Sequence, residues 1–137
     1  MVGIVIVSHG EMADGMLDAA RMIVGEQEGI ATVSLKEMDD VEGLMERVDA
    51  AITQVNAGEG VLVMVDLFGA SPFNASARLA MERDDVEVIT GMSLPMLVEV
   101  AVQRDGADLQ QLVHIAREAG TSGVRTLSDT LGAKAAS

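Results

Sequence analysis

His9 is one of only two histidines in the chain, the other being His114, and there is no cysteine. It follows Val2-Gly3-Ile4-Val5-Ile6-Val7 and lies between Ser8 and Gly10. A Val/Ile run that stops at a small, polar, glycine step reads as a buried strand delivering a side chain to its carboxyl end. In open parallel α/β sheets, ligands and chemistry collect at that edge. A histidine there acts as base, nucleophile or metal ligand near neutral pH, or simply hydrogen-bonds a loop. Glu11 and Asp14 could join it around a metal, but their spacing is not diagnostic, and neither metal nor cofactor is expected.

Asp66 ends a second apolar run, Val61–Val65, and so occupies the equivalent place on another strand. If the two strands are neighbours, as in a 2-1-3-4 order, the side chains meet at the topological switch point. An aspartate beside a histidine orients the ring and selects its tautomer. With Asp66 accepting from Nδ1–H, the Nε2 lone pair is free to attack. Taken alone, Asp66 reads equally well as a turn cap. The residues after it, Leu67-Phe68-Gly69-Ala70-Ser71-Pro72, supply a third part. Ser71 is expected at the N-cap of a helix with Pro72 at its first position. The free N–H groups of that first turn bind anions, and Gly69 permits a close backbone approach. Nucleophile, orienting carboxylate and anion site together suit reversible phosphoryl transfer onto histidine.

Four apolar, Val/Ile-rich runs, Ile4–Val7, Ile30–Leu35, Val61–Val65 and Val86–Ile89, position these residues. Their nearly continuous apolarity is that of strands buried on both faces. Helical stripes alternate with them. Met16, Leu17, Ala20, Ile23 and Val24 form one; Val41, Leu44, Met45, Val48, Ile52 and Val55 a second. Phe73, Ala77, Ala80 and Met81 form a third, Met96, Leu97, Val100 and Ala101 a fourth, and Leu109, Leu112, Val113 and Ala116 a fifth. Such alternation predicts an α/β, doubly wound, mainly parallel sheet with helices on both faces. Gly25 and Gly29, Gly58 and Gly60, and Gly120 and Gly123 read as helix stops. Val124–Leu127 alternates instead, and is expected as a short antiparallel edge strand. One domain over residues 1–131 is expected, with a flexible tail over 132–137.

Composition narrows the function classes. The chain has 137 residues, is 49% apolar and carries a formal net charge of −13. That charge repels nucleic acid and anionic membranes, and suits a basic protein partner or plain solubility. Phe68 and Phe73 are the only aromatic residues, too few for base stacking. The ten methionines are expected as core filler, although Met92 and Met96, with Pro95, read equally well as a rim of the site. Without cysteine, thiolate chemistry is excluded. No secretory leader and no membrane-spanning run are apparent, so a cytoplasmic protein is expected.

Three segments carry a resemblance: Val5-Ile6-Val7-Ser8-His9-Gly10, Val65-Asp66-Leu67-Phe68-Gly69-Ala70-Ser71-Pro72-Phe73-Asn74 and Gly91-Met92-Ser93-Leu94-Pro95-Met96-Leu97. They resemble the mannose-family EIIA domain of the bacterial phosphoenolpyruvate:sugar phosphotransferase system (PTS), over residues 1–131. The resemblance implies that His9 takes a phosphoryl group at Nε2 from phospho-HPr and passes it to an EIIB protein. It implies that Asp66 orients the ring, and that Leu67, Phe68, Gly69 and Ser71 surround the phosphoryl group. It further implies sheet order 2-1-3-4 and a homodimer that exchanges the strand matching Val124–Leu127. Where many members have Gly-Gly, this chain has Gly69-Ala70, so Ala70 must avoid a positive φ. Leu67 replaces a threonine of some members. With no linker or EIIB domain in the sequence, a stand-alone EIIA is expected. Its role is sugar uptake or reporting of phosphorylation state, and the sugar is not encoded here.

The alternatives are weaker. His9-Gly10-Glu11 resembles part of a histidine-phosphatase signature, but Ser8 stands where that signature needs arginine, and His114 reads as a solvated helix residue. A purely regulatory binding module would use the same residues as the carrier. No glycine-rich nucleotide loop occurs.

Overall fold

The computed structural model describes residues 1–136 and contains β1 (Gly3–His9), α1 (Met12–Val24), β2 (Ile30–Leu35), α2 (Val41–Val55), β3 (Val61–Val65), α3 (Ser71–Met81), β4 (Val86–Ile89), α4 (Leu94–Gln103), α5 (Leu109–Ser122) and α6 (Leu127–Ala136). The four strands form one parallel sheet in the order β2-β1-β3-β4. Chain order reverses between β1 and β3, so the switch point opens at the carboxyl ends of those two strands. Across the sheet, Ile6 lies opposite Thr32 and Met64, and His9 opposite Leu35.

Strand pleating sends alternate residues to opposite faces. Ile4, Ile6, Leu62 and Met64 pack on one side with Ala13 and Ala20 of α1, Leu97 and Val100 of α4, and Leu112 and Ala116 of α5. Val5, Val7, Val61, Val63 and Val65 pack on the other with Leu44, Val48 and Ile52 of α2 and Ala75 of α3. Both faces are covered, which explains why the strands lack a polar alternation. Local signals start the helices. Asp40 Oδ1 accepts from Gly43 N–H at 2.7 Å, and Asp108 with Gln111 forms a capping box on α5. Asp40 thus caps α2.

The C-terminal region differs from expectation. In the single chain, Val124–Leu127 is not a strand: α5 continues through Gly120 to Ser122, and Leu127 opens α6. Alternation alone cannot hold a strand that has no partner strand within the chain. The backbone of 132–136, expected to be a flexible tail, continues α6, while Ser137 lies outside the described residues. Methionine as core filler is also corrected. Met64, Met92 and Met96 are buried, but Met1, Met12, Met22, Met38 and Met81 are exposed. Ile23, placed on an apolar stripe, is exposed as well. No described helix is long and apolar enough to cross a membrane.

Candidate active site

His9 is the last residue of β1, and Asp66 follows β3 directly. The adjacency of those strands brings the two side chains together. Asp66 Oδ2 accepts from the His9 backbone N–H at 2.8 Å and lies 2.8 Å from His9 Nδ1. Against an ionised carboxylate, which only accepts, a neutral ring holds its proton at Nδ1 and its lone pair at Nε2. The His9 side chain is half exposed while Asp66 retains 10% of its accessibility. An anchored carboxylate thus presents an accessible imidazole. Asp66 Oδ1 is buried without a hydrogen-bond partner.

Ser8, fully buried, turns its hydroxyl toward α1 and accepts from Ala13 N–H at 2.8 Å. Glu11, at the N-cap, provides no side-chain cap. The serine preceding His9 therefore satisfies one first-turn donor of the following helix. Its place five residues ahead of that donor hides this role from a search for local caps. Gly10 has φ 55° and its N–H donates to Leu35 carbonyl at 2.8 Å, turning the chain out of β1 beside β2.

The loop after Asp66 is braced by its own side chains. Phe68 and Phe73 rings lie 4.7 Å apart at 42°, and Asn74 Nδ2 donates to Gly69 carbonyl at 3.3 Å. Gly69 has φ 83°, a conformation that favours glycine. Ala70 has φ −87°, so the replacement of a second glycine is accommodated without strain. The helix start is one residue earlier than expected. Ala70 is the N-cap, its carbonyl accepting from Asn74 N–H at 2.9 Å, and Ser71 and Pro72 lie within the first turn. Because Ala70 has no capping oxygen, the N–H groups of Ser71 and Phe73 stay available to an anion. No hydrogen bond joins Ser71 to His9 among the described residues.

Met92 and Met96 do not form an exposed rim: both are buried, and Met92 N–H donates to Val65 carbonyl at 3.2 Å, drawing the segment inward. The exposed apolar side chains beside Asp66 are Leu67 and Phe68, 60% and 72% accessible. Lys36, absent from the sequence-based site, lines a hollow with His9 and Gly10. The signal available was its place just after β2, at the same sheet edge. His114 is exposed on α5, away from this edge.

Residues 3–117 match the EIIA-man family model, described as the PTS system fructose IIA component. The chain belongs to the mannose-family EIIA components of the phosphotransferase system. This EIIA chain is 38% identical over 127 residues to the mannose-specific EIIAB component of Escherichia coli K12, covering 92% of its own length and 39% of that protein. It therefore spans well under half of the mannose-specific relatives it matches. It is 33% identical over 110 residues to the sorbose-specific EIIA component of Lacticaseibacillus casei, covering 80% and 79% of the two chains. In three dimensions it is similar to the EIIA component of Streptococcus agalactiae, with a TM-score of 0.87, 27% identity and coverage of 94% and 99%. The mannose/sorbose-specific IIA subunit of Enterococcus faecalis gives a TM-score of 0.83 at 30% identity, covering 92% and 94%. Membership places the chain among components of the phosphotransferase system, which favours the carrier reading over the histidine-phosphatase one.

Proposed function

We propose that His9 is the phosphoryl carrier of this EIIA, loaded by phospho-HPr and unloaded by an EIIB protein. The observation that carries this is the 2.8 Å contact between His9 Nδ1 and Asp66 Oδ2. With the proton held at Nδ1, the Nε2 lone pair attacks phosphorus. The P–N bond to the donor imidazole breaks as the P–Nε2 bond forms, and the donor retains the electron pair. Asp66 stabilises the positive charge that develops on the ring. The N–H groups of Ser71 and Phe73, with the loop Leu67–Gly69, take the equatorial phosphoryl oxygens. Unloading runs the same step in reverse onto the acceptor.

The domain runs from Met1 to Leu131 and works in the cytoplasm as a homodimer. Exposed Val124, Leu127 and Leu131, together with the unpaired outer edge of β4, support exchange of the C-terminal segment as an antiparallel strand. Incubation with phosphoenolpyruvate, enzyme I and HPr, followed by mass spectrometry, tests the carrier. An acid-labile phosphoryl group on His9, lost in His9→Ala, is expected. A label on His114, or none, overturns the assignment.

A further inference from the structure

Lys36 is the first residue beyond β2, whose last residue, Leu35, lies opposite His9. The 2.8 Å bond from Gly10 N–H to Leu35 carbonyl ties the two strand exits together. His9 and Lys36 line one hollow of about 520 Å3 with Gly10, Leu35, Glu37 and Asp39. The backbone under Lys36 is held, because its N–H donates to Asp39 Oδ2 at 2.8 Å. That same oxygen accepts from Arg47 Nη2, also at 2.8 Å. A guanidinium therefore already pairs with Asp39, and Glu37 is the other carboxylate lining the hollow. The Lys36 ammonium itself enters no ion pair among the described residues, although the chain carries a net charge of −13. It is the one lysine or arginine lining the hollow.

A phosphoryl group on His9 would add roughly two negative charges to an already acidic protein. The loop N–H groups offer only partial charges. A lysine is a compact point charge on a flexible four-carbon stem, suited to reach such a group from a fixed backbone. We propose that Lys36 is a phosphoryl-contact residue: its ammonium meets the phosphoryl group carried on His9 and shifts the transfer equilibrium toward the loaded chain. The proposal rests on His9 being the carrier.

The test compares wild type, Lys36→Met, Lys36→Gln and Lys36→Arg, each equilibrated with phospho-HPr. Mass spectrometry quantifies both phosphorylated proteins at low and high salt. The constant favouring phosphorylated EIIA is expected to fall roughly three- to tenfold in Lys36→Met and Lys36→Gln at low salt, with a smaller difference at high salt. Lys36→Arg is expected to stay within about twofold of wild type, because it keeps the charge. A lysine that merely steers the donor changes forward and reverse rates alike and leaves the equilibrium in place. An unchanged equilibrium in Lys36→Met and Lys36→Gln therefore overturns the proposal, whatever the rates do. Wild type that takes no label on His9 would instead overturn the carrier assignment, before any variant is compared.

Discussion

A single oxygen of Asp66, Oδ2, binds His9 at two points, its backbone N–H and its ring Nδ1, each at 2.8 Å. The first bond fixes the end of β1 and the second fixes the ring on it. The other oxygen, Oδ1, is buried with no partner, which costs stability. Asp66→Asn keeps the shape but removes the charge and frees the tautomer. Rapid-quench transfer from phospho-HPr is expected to slow by about 10²- to 10⁴-fold. The unfolding midpoint should move by only a few degrees. Wild-type transfer in this variant would refute the orienting role.

Ser8 ties the end of β1 to the first turn of α1. In Ser8→Ala, Ala13 N–H would be left buried and unpaired, since Ala13 is fully buried. The expected loss is about 1–3 kcal/mol in urea denaturation. Ser8→Thr is a poor rescue, because its extra methyl must be fitted into a fully buried position. An unchanged denaturation midpoint in Ser8→Ala would show that the hydroxyl contributes nothing.

Arg104 is a fully buried residue at the opposite edge of the sheet. Its guanidinium donates to the carbonyls of Val2 and Gly29, both at 3.2 Å, and to that of Glu28. Burial pushes its pKa below the ordinary arginine value, and the charge of Glu28 partly offsets this. Arg104→Met leaves those carbonyls without their donor and is expected to cost about 3–5 kcal/mol. Val2 and Gly29 precede β1 and β2, while His9 ends β1. Transfer by the folded fraction should therefore match wild type. Equal loss of stability and of transfer per folded molecule would break that separation.

Arg104 also marks where sequence reading stops. The sheet was legible because Ile30–Leu35, Val61–Val65 and Val86–Ile89 are bounded apolar runs, and burial on both faces leaves that imprint. His9 and Asp66 were legible because each stands where an apolar run ends. Arg104 bonds to carbonyls some 75 and 102 residues away in sequence, and a backbone carbonyl has no residue-type signature. Lys36 was hidden similarly, since its relation to His9 depends on strand register. Ile23 and Met81 were misplaced because helical spacing defines a stripe without fixing how far the neighbouring element extends over it. Val124–Leu127 has the alternation of a strand, but among the described residues no strand pairs with it, and Leu127 opens α6.

Asp85 supplies an acid-sensitive link between α2 and β4. Asn56 Nδ2 donates to its Oδ2 at 2.8 Å and Arg83 Nε to its Oδ1 at 3.3 Å. The Asn56 bond foremost, then Arg83, holds its pKa below the ordinary 3.8. A carboxyl group with a depressed folded-state pKa stabilises the protein above the unfolded value. That contribution disappears as pH falls through the folded value. Asp85→Ala should therefore melt below wild type at about pH 6, with the gap narrowing as pH falls below the ordinary 3.8. A gap that persists unchanged into acid would show that the carboxylate charge is not its source.

Val124, Leu127 and Leu131 are 83%, 76% and 47% exposed in the single chain. Exposed positions of this kind tolerate substitution within about 0.5 kcal/mol when nothing covers them. In a strand-exchanged dimer they would be buried, and each covered side chain would stabilise association by roughly 1.5–3 kcal/mol. A charge placed there must then be desolvated, which opposes assembly without touching the fold of one chain. Wild type is expected to sediment at twice the chain mass and the Val124→Asp/Leu127→Asp double variant at the single-chain mass. Far-ultraviolet circular dichroism should be the same for both apart from the C-terminal segment. A double variant that stays dimeric would move the interface elsewhere, and a monomeric wild type would remove the exchange altogether.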